Sequence, residues 1–197
     1  MNVVAILLAA GSATRFGSDK LLHALPHQVP IAVQALRHLR AVFGDQVVAV
    51  VRPGASGLQA RLQAEGCRIA VCERAAEGMG ASLACGVRAA QEGGIRADAY
   101  LVALADMPFI RPSSIAAVRD ALARGAALAA PYFRARRGHP VGIASRFRDE
   151  LLQLRGDEGA KRLLERHASD LVKIPIGDPA VLRDIDTPGD LAPPLVV

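Results

Sequence analysis

The chain has 197 residues, of which 51% are hydrophobic and 4% aromatic, and a formal net charge of +5. Length and apolar content fit one domain with a substantial core and exclude a disordered chain. The positive charge is spread along the sequence and Trp is absent, so base-stacking platforms are scarce; small anionic molecules are expected as ligands, not nucleic acid.

The apolar run from Val3 to Ala9 is too short to cross a membrane and has no basic flank before it. It is read as neither a membrane span nor a signal peptide. Cys67, Cys72 and Cys85 lack a C-x-x-C spacing and histidines at zinc-like intervals. They are read as small hydrophobes in a reducing cytoplasm.

The stretch from Val3 to Leu22 organises the rest. Its apolar start has no helical period, as expected of a buried strand. From Gly11 to Lys20 the chain turns small, polar and basic, with Arg15, Gly17 and Lys20. Glycines let backbone N–H groups approach oxyanions, and Arg and Lys neutralise them, so this is a candidate phosphate loop. It is not a Walker A loop, because Gly17 is followed by Ser18 and Asp19. It is not the dinucleotide fingerprint either, because Ala13 stands where the second glycine belongs.

In chain order, Pro30 to Val42 has helical spacing of Ile31, Ala35, Leu36 and Leu39, and Gly44 ends it. Gln46 to Val51 is a second strand. Ser56 is expected to cap a helix to about Glu65, and Cys67 to Cys72 is a third strand. This β-α-β-α-β rhythm predicts a parallel sheet with covering helices. Gly78, Gly80 and Ser82 open a helix to about Glu92, where N–H groups and a hydroxyl are available to a ribose, base edge or phosphate. Tyr100 to Ala105 is another buried strand. It ends in Asp106, a carboxylate at the strand's carboxyl end, where open α/β sheets bind ligands and where Mg²⁺ finds hard oxygen donors.

Pro112 to Arg124 reads as a helix and Ala126 to Pro131 as a strand. Arg134, Arg136, Arg137 and His139 then form a dense cationic turn, an anion or pterin site if it is not a solvated loop. Ser145 to Leu154 is a helix, a second helix starts near Lys161, and Leu171 to Ile176 is a late strand. Thr187, Pro188 and Asp190 carry a capping signature. Asp184 and Asp186 remain, and at most one of them is expected to face the crevice with Asp106.

Leu8-Ala9-Ala10-Gly11, Arg15-Phe16-Gly17 and Lys20-Leu21-Leu22 resemble the signature loop of sugar- and cofactor-nucleotidyltransferases. Five later segments resemble the molybdenum cofactor cytidylyltransferase branch: 78–83, 104–108, 138–142, 156–161 and 184–188. That resemblance implies a Rossmann-like three-layer α/β/α sandwich with a mostly parallel mixed sheet. It implies CMP transfer from CTP to the phosphate of a molybdopterin-type acceptor, with pyrophosphate released. A client molybdoenzyme or its chaperone would be the further partner. Mg²⁺ would sit on Asp106 with Asp184 or Asp186, and the family pattern points to Asp184. Arg15 and Lys20 would stabilise the departing pyrophosphate. Leu8, Ala9, Ala10, Gly11, Gly80 and Ser82 would hold the nucleotide, and Arg137, His139 and Lys161 the acceptor. Guanylyl transfer to molybdopterin or nucleotidyl transfer to a different phosphorylated acceptor, and a Rossmann-type oxidoreductase or non-catalytic nucleotide binder, are the competing readings.

Overall fold

The computed structural model describes residues 1–11, 19–92, 96–157 and 159–191. Eight strands form one mixed sheet in the order β3-β2-β1-β4-β7-β5-β6, with β8 paired to β5. The first half is parallel: β1 (Val3–Ala9) lies between β2 (Val47–Val51) and β4 (Ala99–Leu104), and β3 (Arg68–Val71) flanks β2. The second half reverses. β7 (Val141–Ala144) runs antiparallel to β4 and to β5 (Leu128–Phe133), while β8 (Leu171–Pro175) is parallel to β5. The fold is therefore the expected α/β Rossmann-like one.

Every residue of β1 is buried, as strands covered on both faces require. Period-two alternation sends Val3, Ala5, Leu7 and Ala9 into one core layer and Val4, Ile6, Leu8 and Ala10 into the other. Helices α1 (Ile31–Phe43), α2 (Ser56–Ala64) and α4 (Pro112–Ala123) cover the first layer. Helices α3 (Met79–Glu92), α5 (Arg148–Leu152) and α6 (Lys161–Arg166) cover the second. Among the described residues no helix is long and apolar enough to cross a membrane.

Several local expectations change. Ser56 is the first residue of α2 and its side chain caps nothing; Ala55 holds the cap position. The helix expected from Ser145 to Leu154 splits into a 3-10 turn, Ser145–Phe147, and the short α5. The cationic turn is a hairpin whose return strand is β6 (Arg136–Arg137), paired with Tyr132 and Phe133.

Helix α4 begins at Pro112 with no local side-chain cap. The buried carboxylate of Asp178 supplies it from 64 to 67 residues away, accepting from Arg111 N at 3.0 Å and Ser114 Oγ at 2.8 Å. Its other oxygen accepts from Ala180 N at 3.1 Å. One acceptor group thus ties the helix start to the segment that carries Asp184. Asp178→Ala leaves three donors without their partner, and urea denaturation should show a loss of about 2–3 kcal/mol, with Asp178→Asn milder. A loss below about 0.5 kcal/mol for the alanine variant would mean the bonds contribute nothing net.

Candidate functional site

The site lies where the parallel strands end. A cleft of about 750 Å³ runs past the ends of β1, β2 and β4 and the start of α3, within the usual range for small-molecule sites. Alternation along β1 decides which residues reach it. Leu8 and Ala10 line the cleft with Gly11, while Ala9, expected to hold the nucleotide, packs into the opposite core layer and is not part of the lining. Arg15 and the rest of 12–18 lie outside the described residues.

Lys20 reaches the cleft and its Nζ donates to Asp106 Oδ2 at 3.0 Å and Asp186 Oδ1 at 3.3 Å. Burial alone would push the Lys20 ammonium down, but Asp106 and Asp186 outweigh it and hold its pKa above the ordinary value. Asp184 joins the same group: one carboxylate oxygen from each of Asp106, Asp184 and Asp186 lies within 4.8 Å of the others. Burial, then the charges of Asp186 and Asp106, push the Asp184 carboxyl up; its own backbone N–H and Lys20 oppose this.

The expectation that only one of Asp184 and Asp186 faces the crevice is therefore wrong. Residues two apart on an extended chain share a face, and it is Ile185 between them that is buried. The Ile185 amide donates to the Asp106 carbonyl at 2.9 Å, which locks the two segments side by side. Three carboxylates against one ammonium leave a net charge of −2. Clustered hard oxygen donors of that charge fit a divalent cation such as Mg²⁺ or Mn²⁺.

The start of α3 serves the cleft differently from expectation. Ser82 lines it, but its hydroxyl donates to Gly78 O at 3.3 Å. The Gly80 amide is not available to a ligand, because it donates to Gly156 O at 2.7 Å. A Cβ at Gly80 would come 2.7 Å from Arg155 O, so this glycine is needed for close packing against the 155–157 segment. On the far side of β4, His139 N donates to Val181 O at 2.8 Å, and its Nδ1 is buried without a partner among the described residues. Burial, helped by Arg137, pushes the imidazole down to about 4; Asp184 and the Val102 carbonyl oppose this. His139 is thus neutral near pH 7 and cannot itself supply the cation of an anion site. Lys161 is exposed at the start of α6, 4.0 Å from Glu165, and does not line the cleft.

Sequence reasoning missed Arg52, Glu73 and Asp157, which all line the cleft. Arg52 donates to Gly11 O at 3.0 Å and so pins the start of the loop. The signal was available: Arg52 follows β2 and Glu73 nearly follows β3, the same carboxyl-edge position that marked Asp106.

Residues 5–171 match the MobA-like NTP transferase domain. The chain belongs to that family. As a MobA-like NTP transferase it is a nucleotidyltransferase by family. It is 35% identical over 128 residues to the bifunctional protein GlmU of Dinoroseobacter shibae, 64% of this chain but only 28% of that longer protein. It is 30% identical over 194 residues to nicotine blue oxidoreductase of Paenarthrobacter nicotinovorans, covering 94% of this chain and 92% of that one. The fold matches crystal structures of Rv0371c from Mycobacterium tuberculosis H37Rv. One of these has TM-score 0.79 at 22% identity over 96% of this chain and 94% of that one, and another is a manganese complex.

The neutral His139 gives a pH prediction. A group whose folded pKa is depressed from 6.5 to about 4 leaves stability untouched above pH 6.5. As pH falls toward 4 the unfolded chain binds a proton that the native state refuses, so stability is lost over that window. The loss approaches about 2–3 kcal/mol. Urea midpoints between pH 7 and pH 4.5 should fall less steeply in His139→Gln than in the parent. Equal slopes would mean His139 is charged in the native protein.

Proposed function

We propose that this MobA-like NTP transferase moves CMP from CTP to the phosphate of a molybdopterin-type acceptor in the cytoplasm and releases pyrophosphate. The observation that carries this reading is the convergence of Asp106, Asp184, Asp186 and Lys20 at the mouth of a nucleotide-sized cleft. A phosphate monoester is anionic near neutral pH and needs no activating base. The barrier is repulsion between it and the triphosphate. Held by the three carboxylates, Mg²⁺ would neutralise the charge on the reacting phosphate.

The protein's own groups do the rest. Leu8, Ala10 and Gly11 wall the base, with Gly78, Met79 and Ser82 on the opposite side. Lys20 and Arg15 stabilise the departing pyrophosphate. Arg137 neutralises the acceptor and His139, uncharged, orients it. An oxygen of the acceptor phosphate forms the new bond to the α-phosphorus. The bond from that phosphorus to the bridging oxygen breaks, and its electrons leave on pyrophosphate.

A second reading rests on the near full-length likeness to nicotine blue oxidoreductase. Arg52 at the end of β2 would suit the 2′-phosphate of NADP, although the second glycine of the dinucleotide fingerprint is absent. Oxidation of NADPH by nicotine blue, without pyrophosphate release from any nucleotide, would favour it.

The deciding experiment is pyrophosphate release with each nucleoside triphosphate, Mg²⁺ and molybdopterin. CTP should support turnover; equal efficiency with GTP sinks the cytidylyl assignment. Ala10 puts a methyl group on the cleft wall, which crowds a purine more than a pyrimidine. Preference for CTP of roughly ten- to two-hundredfold in kcat/KM is expected, and Ala10→Gly should narrow it. Lys20→Ala, Arg15→Ala, Asp106→Asn and Asp184→Asn should each lower turnover at least about tenfold, or 1.4 kcal/mol, with the fold retained. Parent rates in all four folded variants would mean the cluster is structural.

A further inference from the structure

The β5–β6 hairpin does not have the chemistry of an ordinary tight turn. Arg134 and Ala135 link Phe133 to Arg136 with φ of 46° and 63°. Positive φ at both central positions is the geometry that Asn-Gly suits best. An arginine and an alanine there are strained, and strain of this kind concentrates at ligand clamps. The strain has a product: it puts a guanidinium at the tip of the hairpin.

Beside that tip, Tyr132, Arg134, Lys173 and Pro175 line a groove of about 510 Å³, large enough for a small molecule. Lys173 Nζ stands 5.6 Å from the Tyr132 ring centroid, and the Arg134 guanidinium 5.3 Å from that of Phe133. Several arginines elsewhere are neutralised: Arg37, Arg40, Arg74 and Arg146 reach carboxylates at 2.6, 2.7, 2.5 and 2.6 Å. Here, among the described residues, Arg134, Arg136, Arg137 and Lys173 have no carboxylate partner, and no acidic residue lines the groove. Gathered cations repel, and an anion relieves that repulsion.

The groove and the cleft lie on one face and at one edge of the sheet. Register partners share a face: Lys173 is paired with Ala130, and Pro175 and Arg137 with Tyr132. Ala130 belongs to the same core layer as Leu8 and Ala10. β5 and β8 run in the direction of β4, so their ends emerge where Asp106 does. From β4 across β7 and β5 to β8, at about 4.8 Å per strand, the groove lies roughly 10–15 Å along the edge from the carboxylate cluster. Arg137 and His139 stand between the two.

We propose that this groove binds a second anionic group of the acceptor, remote from its reacting phosphate, with Arg134 and Lys173 as the charged contacts and Tyr132 as the flat wall. The proposal rests on the transferase reading above and adds the part of the site that selects the acceptor. Neither Arg134 nor Lys173 lines the nucleotide-sized cleft.

The test uses the intact chain with Arg134→Asn and Lys173→Gln, assayed for pyrophosphate release against molybdopterin concentration. Each variant should raise the acceptor KM about tenfold while kcat and the CTP KM stay within twofold. Arg134→Asn should also raise Tm, because Asn relieves the turn. An unchanged acceptor KM overturns the proposal. If the parent releases no pyrophosphate with any nucleotide, the transferase reading fails by itself, and the fluorescence anisotropy of molybdopterin then decides the groove. Affinity about tenfold weaker in both variants supports it; equal affinity in parent and variants, or no binding to the parent, overturns it.

Discussion

Three carboxylates held within 4.8 Å of one another are the constraint on which the site depends. Like charges at that spacing repel, and the repulsion is strongest where water is thin. The fold holds them together by covalent and hydrogen-bonded backbone, not by attraction. Asp106 is fixed at the end of β4, and the Ile185 amide bonds its carbonyl. Ile185 itself is fully buried, so its neighbours on both sides are turned outward to the crevice. Lys20 offsets one charge and leaves two.

The sheet divides the labour of the site at the point where strand direction changes. The parallel strands β1, β2 and β4 are followed within two residues by Gly11, Arg52 and Asp106, which frame the cleft. Across β4 the chain reverses in β7, and the stretch before it, from the end of β6, carries Arg137, Gly138 and His139. A Cβ at Gly138 would come 2.4 Å from Val181 O, so this turn is pressed against the segment that leads to Asp184. Asp178 adds the next tie, joining that segment to the start of α4. The carboxylate cluster and the Arg137–His139 segment are thereby positioned by a shared framework, and a change at Asp178 or Gly138 would be felt at both.

The parallel half was legible because strands covered on both faces read as uninterrupted apolar runs, and Val3 to Ala9 and Tyr100 to Leu104 have no other plausible home. Asp106 was legible for the same reason, as a charge directly after such a run. The antiparallel half was harder. β6 is two residues long and carries only arginines, so no periodicity could reveal it. Asp184 and Asp186 were misjudged through the period of an extended chain. The Gly80 amide looked open to a ligand because its partner, Gly156, lies 76 residues away. The neutral state of His139 depends on burial and on Arg137, which no local pattern encodes.

The central claim is that the carboxylate cluster binds the nucleotide through a divalent ion. A ligand that binds only the native state must raise its melting temperature. The direct measurement is the Tm shift produced by CTP with and without Mg²⁺, in the parent and in Asp106→Asn. The account predicts a clear rise in the parent only when both are present, and little rise in the variant. An equal rise without Mg²⁺, or in Asp106→Asn, would contradict it.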